Sequence, residues 1–133
     1  MDEDQRAVAR QCLHGAENGT MSFPQIIGNL LGAGFDGYLV DFRLAQSTYY
    51  LTSGEGIELS ASPVAVPIAP QLDVEALQGA IREAQTQAPG YTYRGFCERA
   101  KAAGCAGYVA SLSGRRVLYF GCMAETHVEH FPQ

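Results

Sequence analysis

From Phe23 to Leu31 the apolar residues Phe23, Ile26, Ile27, Leu30 and Leu31 fall on one face of a helix. Ser22 precedes them as an N-cap with Gln25 three residues on, and Pro24 fits a first turn where no amide donor is needed. Gly34 stands just beyond the last turn, where left-handed backbone suits glycine best. The pattern returns at a constant offset of 70 residues. Thr92 is the cap, Tyr93, Phe96, Cys97 and Ala100 are the face, and Gly104 is the stop. Before each of these helices lies another, predicted over Asp4–His14 and Val74–Gln85. Asp2 with Gln5 caps the first, and Asp73 caps the second, whose face is Leu77, Ala80, Ile81 and Ala84.

After each glycine stop the period changes from helical to alternating. Tyr38, Val40 and Phe42 alternate with Leu39, Asp41 and Arg43, and Tyr108, Ala110 and Leu112 with Val109, Ser111 and Ser113. Further strands are predicted at Ser47–Thr52 and Gly56–Ser60, and at Arg115–Gly121 and Ala124–Glu129, with Ser113-Gly114 as a two-residue hairpin turn. Pro63, Pro67 and Pro70 keep the intervening segment out of a central ladder or a helix, so 61–71 is expected to be an extended linker. The expected architecture is α+β: a two-layer sandwich, an antiparallel sheet with helices on one face. It is expected as one domain over 1–133, built by pseudo-twofold duplication of half-repeats at about 1–60 and 72–131.

At 133 residues the chain is long enough to bury a core without staples. Its net charge of −5 is uneven: residues 1–66 hold three Arg against eight Asp and Glu, while residues 67–133 balance at six and six. An acidic surface with no basic stripe disfavours nucleic acid as a partner. No apolar run approaches the roughly 20 residues needed to span a bilayer, so no membrane partner is expected. Cys12, Cys97, Cys105 and Cys122 form no CxxC pair and no zinc spacing. Met1-Asp2-Glu3-Asp4-Gln5 does not read as a signal peptide, and the simplest account is four reduced thiols in a cytoplasmic protein.

The chemistry-bearing residues concentrate near the end of the chain. On a strand, Glu125, His127 and Glu129 would share one face, with His130 beside them; histidine flanked by carboxylates suits metal ligation or acid–base work. The histidines lack the helical spacing of zinc motifs, so no metal is assigned. The simpler reading is a polar strand face, solvated or cross-paired with Arg115 or Arg116. That arginine pair is otherwise a surface device at a turn, or an anion site. Tyr49-Tyr50 and Tyr119-Phe120 place one ring on each side of a sheet, one for the core and one for a ligand groove or subunit contact. No Gly-x-Ser-x-Gly elbow, Cys–His motif or phosphate loop occurs, and His14 is read as a residue compatible with a helix C-terminus.

Ser22-Phe23-Pro24, Thr48-Tyr49-Tyr50, Phe96-Cys97, Ala103 to Tyr108, Gly114-Arg115-Arg116-Val117 and the block His127 to Pro132 together resemble a small bacterial and prophage-encoded family of unknown function. This is the YbcV- and YdfO-like family 1398, sometimes labelled phage envelope protein. The resemblance spans nearly the whole chain, implies a two-layer α/β fold and carries over no catalytic residue. Ile57 stands where the second half has His127, which argues against a symmetric metal site. The leading expectation is a non-enzymatic domain that binds a small molecule or a protein, needs no cofactor, and pairs as a homodimer. Its candidate contacts are Tyr49, Arg115, Arg116, Tyr119, Glu125, His127, Glu129 and His130. The alternative is an enzyme or metal-dependent protein built on the Glu125 to His130 cluster.

Overall fold

A computed structural model describes residues 1–132. Two helices, α1 (Glu3–Asn18) and α2 (Phe23–Gly32), lead into three strands, β1 (Phe35–Asp41), β2 (Gln46–Leu51) and β3 (Gly56–Ser60). The order then recurs as α3 (Val74–Thr86), α4 (Tyr93–Ala102), β4 (Cys105–Ser111), β5 (Arg116–Gly121) and β6 (Thr126–His130). The six strands form one sheet in the order β3-β2-β1-β4-β5-β6, antiparallel at every pairing. The fold is α+β, with the helices packed on one face of an antiparallel sheet.

Local chemistry places these elements. Asp2 accepts the Gln5 amide proton while the Gln5 side chain accepts from Asp2, and Ser22 and Gln25 repeat the reciprocal pair at α2. Each box satisfies two amides that a helix start leaves unpaired. The first helix outruns its expected end at His14 by a full turn, because nothing between Gly15 and Asn18 breaks it before Gly19 turns left-handed. Gly34 and Gly104 adopt the positive φ that stops α2 and α4.

The strands meet at β1 and β4, where Leu39 faces Val109, its counterpart at the 70-residue offset. This seam is tight. A methyl on Gly37 would lie 2.5 Å from the Ala110 carbonyl oxygen, and one on Gly107 would lie 2.3 Å from that of Val40. Tyr38, Val40, Tyr49, Leu51, Tyr108, Ala110, Val117 and Tyr119 point to the helical side and are buried, as alternation requires. Leu30, Phe35 and Leu77 from both halves are among the most deeply buried side chains, each stabilising by about 1.5–3 kcal/mol.

One turn and one strand start need correction. The β4–β5 connection is not a two-residue turn at Ser113-Gly114: it runs over four residues, 112–115, and Arg115 rather than glycine takes the left-handed position at φ 51°. The Ser111 hydroxyl accepts the Gly114 amide proton and closes it. The β1–β2 connection has the same form, with Ala45 at φ 53° and the Asp41 carboxylate accepting from Arg43 and Leu44. The last strand begins at Thr126 rather than Ala124, because Ala124 is itself left-handed. The segment after β3 is irregular, tied down by Ala61 to Ala45 and Ala69 to Lys101 backbone bonds.

Candidate functional site

Between the helices and the sheet lies a cleft of about 850 Å³. Six of the chain's seven tyrosines line it: Tyr38, Tyr49, Tyr91, Tyr93, Tyr108 and Tyr119. Four come from inward positions of β1, β2, β4 and β5, so strand alternation alone aims them into one space. Tyr91 and Tyr93 enter from the turn before α4 and its first residue. The rings are mutually braced: Tyr38 stacks on Tyr49 at 5.2 Å, and Tyr108 meets Tyr119 at 5.5 Å and Tyr38 at 6.2 Å.

Every hydroxyl on this wall is held neutral. Burial pushes the phenols of Tyr38, Tyr49, Tyr91, Tyr93, Tyr108 and Tyr119 upward, and neighbouring acidic groups add to it. The hydroxyls of Tyr93 and Tyr108 stand 2.7 Å apart, so one donates to the other and one phenolic proton is left over. A wall of neutral phenols with spare protons donates hydrogen bonds to an acceptor and stacks on flat rings.

The two ends of the cleft differ. Near Leu13, Glu17 and Tyr93 it adjoins a recess of about 150 Å³ bordered by linker residues Ala61, Ser62 and Val64. The linker is pinned there. The Ser62 amide donates to Glu17 at 2.7 Å, and the Lys101 amine, buried in the same recess, donates to the Val64 carbonyl oxygen at 2.5 Å. At the other end Phe131 meets Phe23 edge to face at 5.5 Å, and the Arg115 guanidinium lies 5.8 Å over the Phe131 ring. Arg115, Glu129, His130 and Pro132 complete that rim.

The residues singled out in the sequence divide accordingly. Tyr49, Tyr119, Arg115 and Glu129 line the cleft, while His130 only borders its rim, since it pairs opposite Arg116 on the other face of the sheet. His127 stands one layer behind, stacked on Tyr119 at 6.5 Å, with its Nε2 2.8 Å from Glu129 Oε1. Arg116 is elsewhere: it pairs opposite His130 on the strand, and its Nε donates to the Gly114 carbonyl oxygen. Glu125 precedes the strand and does not share a face with His127 and Glu129. Its carboxylate accepts from the Leu72 and Met123 amides, and the Leu72 bond above all holds its carboxyl below the usual range. The carboxylate partner of His127 is thus Glu129, two residues on, and neither arginine cross-pairs with that carboxylate.

Among the described residues no group of three or more His, Cys, Asp or Glu is placed to hold a metal. Three thiols are buried, and burial pushes Cys12 to about 11, Cys97 to about 12 and Cys105 to about 11, away from nucleophilic use; Cys122 is exposed. No described helix is long and apolar enough to cross a membrane. Other residues that matter here, Tyr93, Tyr108 and Lys101 among them, were not singled out as site candidates. Tyr93 and Tyr108 read as core positions, where only the choice of tyrosine over phenylalanine hints at a polar task. Lys101 carries a plainer sign, as the only lysine in the chain.

A four-helix layer over one face of a six-stranded antiparallel sheet, with an aromatic cleft between the layers, defines a small α+β protein. The chain belongs to the family described as protein of unknown function (DUF1398), which it matches over residues 11–128. No curated protein matches it.

Proposed function

We propose that this protein binds a small molecule in the tyrosine-walled cleft and performs no covalent chemistry on it. The observation that carries the reading is the gathering of six tyrosines around about 850 Å³ of space. A core built for stability alone would use phenylalanine and aliphatic residues there, since each buried hydroxyl without a good partner costs about 1–3 kcal/mol. The volume falls in the range of pockets that hold drug-sized ligands, and mostly apolar walls with a few polar groups are their usual chemistry. Four unpaired cysteines support a reducing, cytoplasmic setting. The shared element order and the constant offset support descent of the halves from one copied unit.

The test is a screen of aromatic fragments by amide chemical shifts, repeated with Ala84→Phe. Ala84 is a half-buried cleft residue of α3, and the larger ring would occupy the space. Binders should shift Tyr38, Tyr49, Tyr108 and Tyr119 together and be lost in the folded Ala84→Phe protein. Fragments that bind both forms equally, or none that bind the parent, would remove the proposal.

A second reading concerns the uncovered face of the sheet. Thr48, Leu39, Val109, Leu118 and Val128 form a continuous row across it, with Val109 and Val128 about 40% exposed. Glu58 lies at the β3 end of this face, and Arg116 and His130 at the other. A second copy turned about an axis along the strands would set each acidic end over the partner's basic end, which favours a homodimer. A single species of monomer mass by light scattering at high concentration would exclude it.

A further inference from the structure

We infer that the cleft takes an aromatic acid: a flat ring system with its carboxylate at the Arg115 rim and a phenol or carbonyl oxygen at the buried end. This rests on the cleft being a ligand site at all, and it adds which ligand chemistry that site selects. Three observations on the cleft wall support it. The first is charge. The carboxylates on the wall are Glu17 and Glu129, and both are occupied, by the Ser62 amide and by His127. The guanidinium of Arg115 has no hydrogen-bond or ionic partner among the described residues and only lies against the Phe131 ring. Of the charged side chains on the wall, Arg115 is thus the one without a hydrogen-bond partner among the described residues, and a planar guanidinium is suited to a carboxylate.

The second is the buried end. Tyr93 and Tyr108 share one hydrogen bond and keep a spare proton, with Tyr38 beside them. An alkyl chain would leave that proton unmet, whereas an oxygen acceptor would use it. The third is polarity of direction. The linker with Glu17 and Lys101 borders the end near Tyr93, while the opposite end carries Arg115 and Phe131 at the rim. A ligand with one charged group is therefore oriented, its acid outward and its ring among the tyrosines.

The experiment measures binding of para-coumarate, cinnamate and para-coumaryl alcohol by NMR titration to the full chain and to Arg115→Gln, Arg115→Lys, Arg116→Gln and Tyr108→Phe. Para-coumarate should bind most tightly of the three. Arg115→Gln should weaken both acids about tenfold or more and leave the alcohol within twofold. Arg115→Lys should restore part of that loss, and Arg116→Gln, which keeps the overall charge change but lies away from the cleft, should have no effect. Tyr108→Phe should weaken para-coumarate about three- to tenfold and cinnamate hardly at all. Thermal melts on each variant show that it is folded. An alcohol that binds as well as the acid, or equal losses in the two arginine variants, would overturn the aromatic-acid assignment while leaving the cleft a ligand site. Absence of binding by all three, with no fragment shifting the cleft tyrosines either, would remove both.

Discussion

The seam between β1 and β4 makes the sharpest demand on the sequence, and Gly107→Ala tests it. A methyl at Gly107 would sit 2.3 Å from the Val40 carbonyl oxygen and 2.7 Å from Phe120 Cζ. Carbon and oxygen prefer a separation more than an ångström longer, so the strand or the ring must move. The ring of Phe120 is half-buried and can yield. The carbonyl cannot move without disturbing the Val40–Tyr108 pairing at the centre of the sheet. Overpacking of this kind costs about 1–3 kcal/mol, and a backbone contact on a central strand belongs at the upper end. For a chain of this length about 3 kcal/mol lowers the melting temperature by about 10 °C. Gly37→Ala, facing the Ala110 carbonyl oxygen at 2.5 Å, should behave alike. Gly28→Ala is the control: nothing lies within 4 Å of its added methyl, and alanine inside α2 should stabilise by about 0.5–1 kcal/mol. The assay is thermal unfolding followed by circular dichroism. Gly107→Ala melting within about 2 °C of the parent would refute the close-packed seam.

Four further outcomes follow from named groups. With a disulfide reagent at pH 8, Cys122 should react at once and Cys12, Cys97 and Cys105 only at the rate of unfolding, because they are buried and their thiols are shifted upward; prompt labelling of all four would contradict this. Glu125 is held below its ordinary value of 4.5, so the stability it adds is present above that pH and is lost as pH falls through the lower folded value. Glu125→Gln should therefore flatten the acid limb of the stability profile. The cleft tyrosines are shifted the other way: their contribution is complete below pH 10 and declines as pH rises above it. Phenolate absorbance from these rings should rise together with loss of circular dichroism, not before it. Asp2→Ala removes half of a capping box and should cost about 1 kcal/mol in urea unfolding.

The helices and most of the strands were legible because their determinants are local. Caps at Asp2, Ser22, Asp73 and Thr92 and the glycine stops at Gly34 and Gly104 each act within a few residues, and the structure uses all of them. The β4–β5 turn was misplaced because glycine is the default holder of positive φ. Here Ser111 closes the turn by hydrogen bonding and Arg115 takes that position instead. Glu125 was set on the His127 face by carrying the strand's alternation back into the β5–β6 turn, where Ala124 is left-handed and the Glu125 carbonyl accepts from the Gly121 amide. The cleft was illegible for a different reason. Tyr38, Tyr49, Tyr108 and Tyr119 each satisfy the inward apolar pattern, and nothing in a one-dimensional pattern tells a filled interior from one that leaves space between the layers.

The two halves differ in what lines the two ends of the cleft. At positions facing the helical side, Ala45, Ile57, Leu59 and Ala61 of the first half correspond at the 70-residue offset to Arg115, His127, Glu129 and Phe131 of the second. Small and aliphatic residues in the first set let the linker pack down, with Glu17 and Lys101 fastening it. The second set replaces them with a cation, an aromatic ring and a bonded His–Glu pair, and the rim there carries charge. Two similar halves folded about a shared seam would leave a passage with equivalent ends, and a passage with equivalent ends cannot orient a ligand. The proposed orientation of a ligand rests on this difference, with the linker stopping one end and Arg115 and Phe131 lining the other. Exchanging the sets tests that logic: Arg115→Ala with Phe131→Ala makes the open rim resemble the closed one. It should abolish preference between an aromatic acid and its alcohol without lowering the affinity for the alcohol. Retention of that preference in a folded double variant would show that the differences between the halves are not what orients the ligand.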